Sequence, residues 1–202
     1  MAALRADGLV ITEQGRGTYT RPQHSIRRLG PDRYSPGAEH AQPAMPATNG
    51  DPAEQVDAAY QEVAATADLA RLFQVQLGTM LLERRLLHRV HGIPQHLTTS
   101  YYLLDMVAGT PVADPNREPW PGGHIAQLAS LGVAVTKITE TVRSRMPTTD
   151  EADALRAVPA VPLLAVTRCT KSGTRTVEVA NEILTPADRS EYEYEIPING
   201  RS

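Results

Sequence analysis

The chain has 202 residues and a mass of 21.9 kDa, enough for one domain with a real core plus a small appendage. With 41% hydrophobic and 21% charged residues and no apolar run of about 18 residues, it reads as a globular protein and not a membrane-spanning one. The single cysteine, Cys169, excludes an intrachain disulfide and a cysteine-based zinc site. A net charge of −3 excludes a generic nucleic-acid binder, although the charge is uneven: the first thirty residues carry five Arg against Asp7 and Glu13, and the rest is acidic.

Leu4–Val10 reads as the last turns of a helix closed by Gly8, and Gly15-Arg16-Gly17 as a tight turn between two short β-prone runs. Residues 23–53 read as a linker, with Pro, Ala and Gly concentrated from position 31. A strand is expected over Gln55–Ala65. Thr66 then caps a short helix with Leu69, Leu72 and Phe73 on one face. Met80–Val90 and Gln95–Leu103 form a hairpin around His91-Gly92-Ile93-Pro94. Asp105–Gly109 reads as a helical turn and Asp114–Gly123 as a Pro/Gly-rich loop holding Trp120, the one tryptophan. His124–Leu131 follows as a helix closed by Gly132, then Lys137–Met146 as a strand. Thr148 and Glu151 form a capping box opening a helix through Leu155. Leu163–Thr170, Thr176–Leu184 and Tyr192–Ile196 close the chain as strands, the first two joined by a turn at Lys171–Thr174. Hairpin connections and short helices give an α+β fold, an antiparallel sheet with short helices, and argue against a doubly wound parallel sheet.

Candidate site residues come from strand alternation. In Ile138-x-Glu140-x-Val142, period two puts Glu140 on an apolar face, where a carboxylate needs a partner. That partner is either a ligand or an internal arginine such as Arg84, Arg85 or Arg168. Glu178 shares a face with Thr176, Ala180 and Glu182, a pattern that by itself favours a solvated outer face over a binding role. Arg84 and Arg85 point to opposite sides of their strand, so at most one faces a pocket and the other is a surface charge. The hydroxyl-rich stretch Thr98–Tyr102 suits a polar pocket wall or simply a strand. His88, His91 and His96 lack firm ligand spacing, so no metal site is expected, and Cys169 reads as a small core residue.

The run Leu9-Val10 through Gly15-Arg16-Gly17-Thr18-Tyr19 resembles the end of the winged helix-turn-helix of GntR-type bacterial transcription regulators. On that resemblance residues 1–22 are a winged-helix remnant, lacking the preceding helix and most of the recognition helix, and Arg16 and Arg21 contact the DNA backbone. Residues 54–198 resemble the UTRA effector-binding domain of the HutC branch, on several stretches. These are Glu83-Arg84-Arg85, Gly92-x-Pro94, Thr99-Ser100-Tyr101, Leu128-x-x-Leu131-Gly132, Glu140–Pro147, Thr148–Leu155, Val161–Leu164 and Thr176–Val179.

The resemblance implies a chorismate-lyase-like fold, a small-molecule effector in a cleft, homodimerisation and a cytoplasmic location. It implies no cofactor and no metal, and DNA as a partner only where the N-terminal helices are present. The effector would be bound by Arg84, Arg85, Thr98, Ser100, Tyr101, Glu140 and Glu178. Leu86, Leu87, Thr98 and Leu184 depart from members that sense sugar phosphates, which points to a less anionic, more apolar effector. Two other readings stand beside this one: a stand-alone enzyme of the same fold acting on a small metabolite, and a non-DNA-binding heterodimer partner.

Overall fold

A computed structural model describes residues 10–13, 17–20, 26–28, 34 and 54–193. The core of the molecule is one six-stranded sheet, antiparallel throughout, with helices on both faces. Its strands are β4 (Glu54–Ala64), β5 (Met80–Val90), β6 (Ile93–Leu103), β7 (Lys137–Arg145), β8 (Leu163–Ser172) and β9 (Arg175–Pro186), in the order β4-β5-β6-β9-β8-β7. Two three-stranded meanders, β4-β5-β6 and β7-β8-β9, are thus joined edge to edge by the β6–β9 pairing.

The N-terminal runs β1 (Val10–Glu13) and β2 (Gly17–Thr20) pair antiparallel with Glu13 opposite Gly17; Gly15 and Arg16 of the expected turn lie outside the described residues, as does Arg21. Within the stretch read as a linker, β3 (Ile26–Arg28) pairs in parallel with β10 (Ser190–Tyr192). The expected last strand, Tyr192–Ile196, shares only Tyr192 with β10; residues 194–196 lie outside the described residues.

Local chemistry accounts for the elements. The β5–β6 turn is shorter than expected. His91 and Gly92 alone form it, both at positive φ (50° and 74°), as a two-residue turn matched to strand twist requires, and Ile93 and Pro94 already belong to β6. Helix α1 (Ala67–Phe73) starts at Thr66, whose side chain accepts from the Leu69 amide. Its apolar side, Leu69, Ala70 and Phe73, packs on Leu81, Leu103 and Val179. After the single turn α2 (Leu104–Val107), the chain passes two 3-10 turns and the Glu118-Pro119 bond to reach α3 (Gly123–Ser130). Helix α3 covers the opposite face, with Leu128 against Leu82, Tyr102 and Val112. Helix α4 (Thr149–Leu155) opens on the expected capping box between Thr148 and Glu151 and sends Leu155 among Leu97, Leu163 and Leu184, on the α1 face.

Strand β9 is therefore buried on both sides, and two bulges interrupt its alternation. Thr99 pairs Glu182 while Ser100 pairs Ala180, which leaves Asn181 extra; Thr170 pairs Glu178 while Lys171 pairs Thr176, which leaves Val177 extra. This overturns the solvated-face pattern for Glu178, which is 0% exposed. The regular alternation that placed it beside Thr176 does not survive the bulge between them.

Candidate functional site

Cross-strand partners in an antiparallel sheet share a face, so the register locates the candidate residues relative to one another. One row crosses all six strands: Tyr60, Arg84, Ser100, Ala180, Arg168, Glu140. The next row on the same face runs Leu82, Tyr102, Glu178, Thr170, Ile138. Thr98 lies one row to the other side, opposite Leu86 and Ile183. Five of the seven sequence candidates, Arg84, Thr98, Ser100, Glu140 and Glu178, are thus brought together on the α3 face. Arg85 and Tyr101 are not. Arg85 is exposed on the α1 face, and Tyr101, also there, donates its hydroxyl to Glu83 at 2.9 Å.

The face carries two buried ion pairs. Arg168 donates through Nη2 to Glu178 Oε1 at 2.7 Å, and Thr170 Oγ1 donates to Glu178 Oε2 at 2.6 Å. Burial alone would raise the Glu178 carboxyl. The Arg168 guanidinium, His124 and these hydrogen bonds outweigh it and hold the group below the usual carboxylate range. At the other end of the row, Arg84 is 2% exposed and bonds Glu118 through Nη2 and Gln127 Oε1 through Nη1 at 2.9 Å. Glu118 also accepts from Tyr60 Oη at 2.9 Å, Gln127 Nε2 at 2.8 Å and the Trp120 amide at 2.9 Å. The Tyr60 and Tyr102 rings flank the Arg84 guanidinium at 4.9 and 5.1 Å. Burial raises both tyrosine hydroxyls above their ordinary pKa, so they stay protonated donors.

Between the two pairs lie the smallest side chains of the row, Ser100 and Ala180. Glu140, half-buried on edge strand β7, accepts from Tyr34 Oη at 2.7 Å. The Tyr34 ring in turn meets His124 edge-on, with centroids 6.1 Å apart. Sequence reasoning missed Tyr34, Tyr60, Glu118 and Gln127. Tyr60 has the correct parity in its strand. Glu118 sits in an irregular Pro-rich segment where no period exists to place it. Among the described residues no group of three metal-ligating side chains converges. Cys169 is half-buried beside the α1 cluster, as a core residue, and burial raises its thiol pKa.

The UTRA domain family profile matches residues 56–190. An uncharacterised HTH-type transcriptional regulator of Streptomyces coelicolor is 30% identical in an alignment 183 positions long that covers 87% of this chain and 68% of that protein. A solved structure described as a GntR-family transcriptional regulator superposes with a TM-score of 0.71 at 27% identity, over 98% of this chain and 80% of the other. The C-terminal domain of the histidine utilization repressor from Pseudomonas syringae is similar in fold, with a TM-score of 0.62 at 18% identity over 72% of this chain and 99% of the other. The effector domain of PhnF from Mycobacterium smegmatis gives 0.65 at 19% identity, over 86% of this chain and all of the other.

Proposed function

The chain belongs to the UTRA family and carries the sensing domain of a GntR-type, HutC-branch transcription regulator; from that premise we propose that its effector is a small molecule bound on the α3 face of the sheet. One observation carries the location. Arg84, Ser100, Glu140 and, one row on, Glu178 stand in cross-strand register on this face, among apolar side chains. A mostly apolar surface with a few convergent polar groups is the usual makeup of a small-molecule site. In this reading Ser100 and Thr98 offer hydroxyls, Glu140 accepts hydrogen bonds, and Arg84 and Glu178 define the charged margins. Arg85 and Tyr101, on the other face, do not touch the effector.

The wider account follows the family. The domain pairs as a homodimer in the cytoplasm, and effector binding resets two winged-helix heads whose wing arginines are Arg16 and Arg21. Edge strands β4 and β7 each have a hydrogen-bonded neighbour on one side only among the described residues, and β7 leaves Val142 41% exposed. Sedimentation at twice the 21.9 kDa chain mass supports the dimer, and a monomer at micromolar concentration contradicts it.

A thermal-shift screen of metabolites followed by calorimetry tests the site. Glu140→Gln should weaken binding of a screened effector about tenfold or more, roughly one charge-assisted hydrogen bond, while leaving the urea midpoint close to wild type. Unchanged affinity in Glu140→Gln and in Ser100→Leu would place the effector elsewhere.

A further inference from the structure

Two guanidinium groups lie in the proposed effector face, and each already has a carboxylate against it. The two pairs differ in origin. Glu178 stands next to Arg168 within the sheet. Glu118 reaches Arg84 from the loop between α2 and α3, and its two oxygens collect donors from β4, β5, α3 and the loop itself. Arg84 is otherwise built like an anion-binding group. It is 2% exposed, lies between two tyrosine rings, and its Nε meets no acceptor among the described residues. An effector anion brought to it would have to share a buried space with the Glu118 carboxylate, and like charges there repel strongly.

We propose that Glu118 is the charge-selecting residue of the effector site. Its carboxylate holds the anion position of Arg84, so the site admits molecules that are uncharged or cationic where they meet this pair, and it turns away organic phosphates and carboxylates. The proposal rests on the reading of the α3 face as the effector site. It adds a residue and a ligand class to that reading.

Glu118→Gln keeps the side-chain shape and returns an uncompensated charge to Arg84. The variant and the wild type are compared by thermal unfolding and calorimetry in inorganic phosphate and in chloride at matched ionic strength. Glu118→Gln should gain a phosphate-dependent rise of its unfolding midpoint and bind phosphate about tenfold or more tightly than wild type, the wild type showing no such rise. Equal stabilisation of both proteins by phosphate, or none of a folded Glu118→Gln, overturns the proposal. A second arm uses the wild type alone, so it holds even where the variant does not fold. Panels of sugars and polyols, of amines, and of organic phosphates and carboxylates are screened in turn. Hits among the uncharged molecules or amines support the proposal. Hits confined to the anions overturn it and leave the sensing role standing. Binding by no class contradicts the sensing role itself, and the proposal with it.

Discussion

At the scale of single residues, the α3 face is organised by charges that the fold buries in pairs. Glu178 is 0% exposed and held by Arg168 and Thr170. Removing one member of such a pair strands the other, which costs about 3–5 kcal/mol in buried pairs, whereas removing both costs far less. Glu178→Gln should therefore lower the unfolding free energy by about 3 kcal/mol, less than a full deletion because the amide oxygen still accepts. Arg168→Met combined with Glu178→Leu should recover most of it. Urea titration of the three proteins decides, and a double variant less stable than Glu178→Gln would contradict the argument. Alternation along β7 was enough to find Glu140, because that strand runs without a bulge against β8. It failed for Glu178, because the extra residue Val177 reverses parity between Thr176 and Glu178. Bulges leave no local mark in a run such as Arg175–Pro186, so the error could not have been read from the strand itself.

At the scale of elements, caps and turns were the most legible features, since their chemistry is local. The capping box of α4 was readable from Thr148 and Glu151 alone, but its full partner set was not. Arg145, at the end of β7, adds a two-pronged bond to Glu151 at 2.6 and 2.7 Å. Hydrogen bonding from Arg145, with help from the Thr148 amide, lowers the Glu151 carboxyl to about 2. A depressed folded-state pKa stabilises above the unfolded value and loses that contribution as pH falls through the folded one. Here the window lies between pH 4.5 and about 2. Because the pair borders solvent, its contribution should be about 1–2 kcal/mol and not the full linkage value. Glu151→Gln should flatten the acid limb of a stability–pH profile over that window. A variant profile parallel to wild type down to pH 2 would contradict the assignment. The loop before α3 shows the opposite case: Glu118 anchors it through contacts with α3, just ahead in the chain, and with β4 and β5, both far away in sequence.

At the scale of the whole molecule, the fold class and the hairpin partners were legible, because short connections make neighbours in sequence neighbours in the sheet. The β6–β9 pairing was not, since about seventy residues separate the strands and nothing local announces it. Yet this pairing is what brings the candidate site residues together. It sets Ser100 against Ala180 and so aligns Arg84 on one meander with Arg168 and Glu140 on the other. The individual candidates could be read strand by strand; their convergence depends on a long-range contact. The convergence is compatible with the sensing role of the family, because a ligand touching both meanders can bias how they sit against each other. The most direct test is to locate the effector. In a crystal structure of the domain with the tightest binder from a metabolite screen, the ligand should lie on the α3 face, within hydrogen-bonding distance of Ser100 or Glu140. A ligand seated on the opposite face, against α1 or α4 and near Arg85 and Tyr101, would contradict the account.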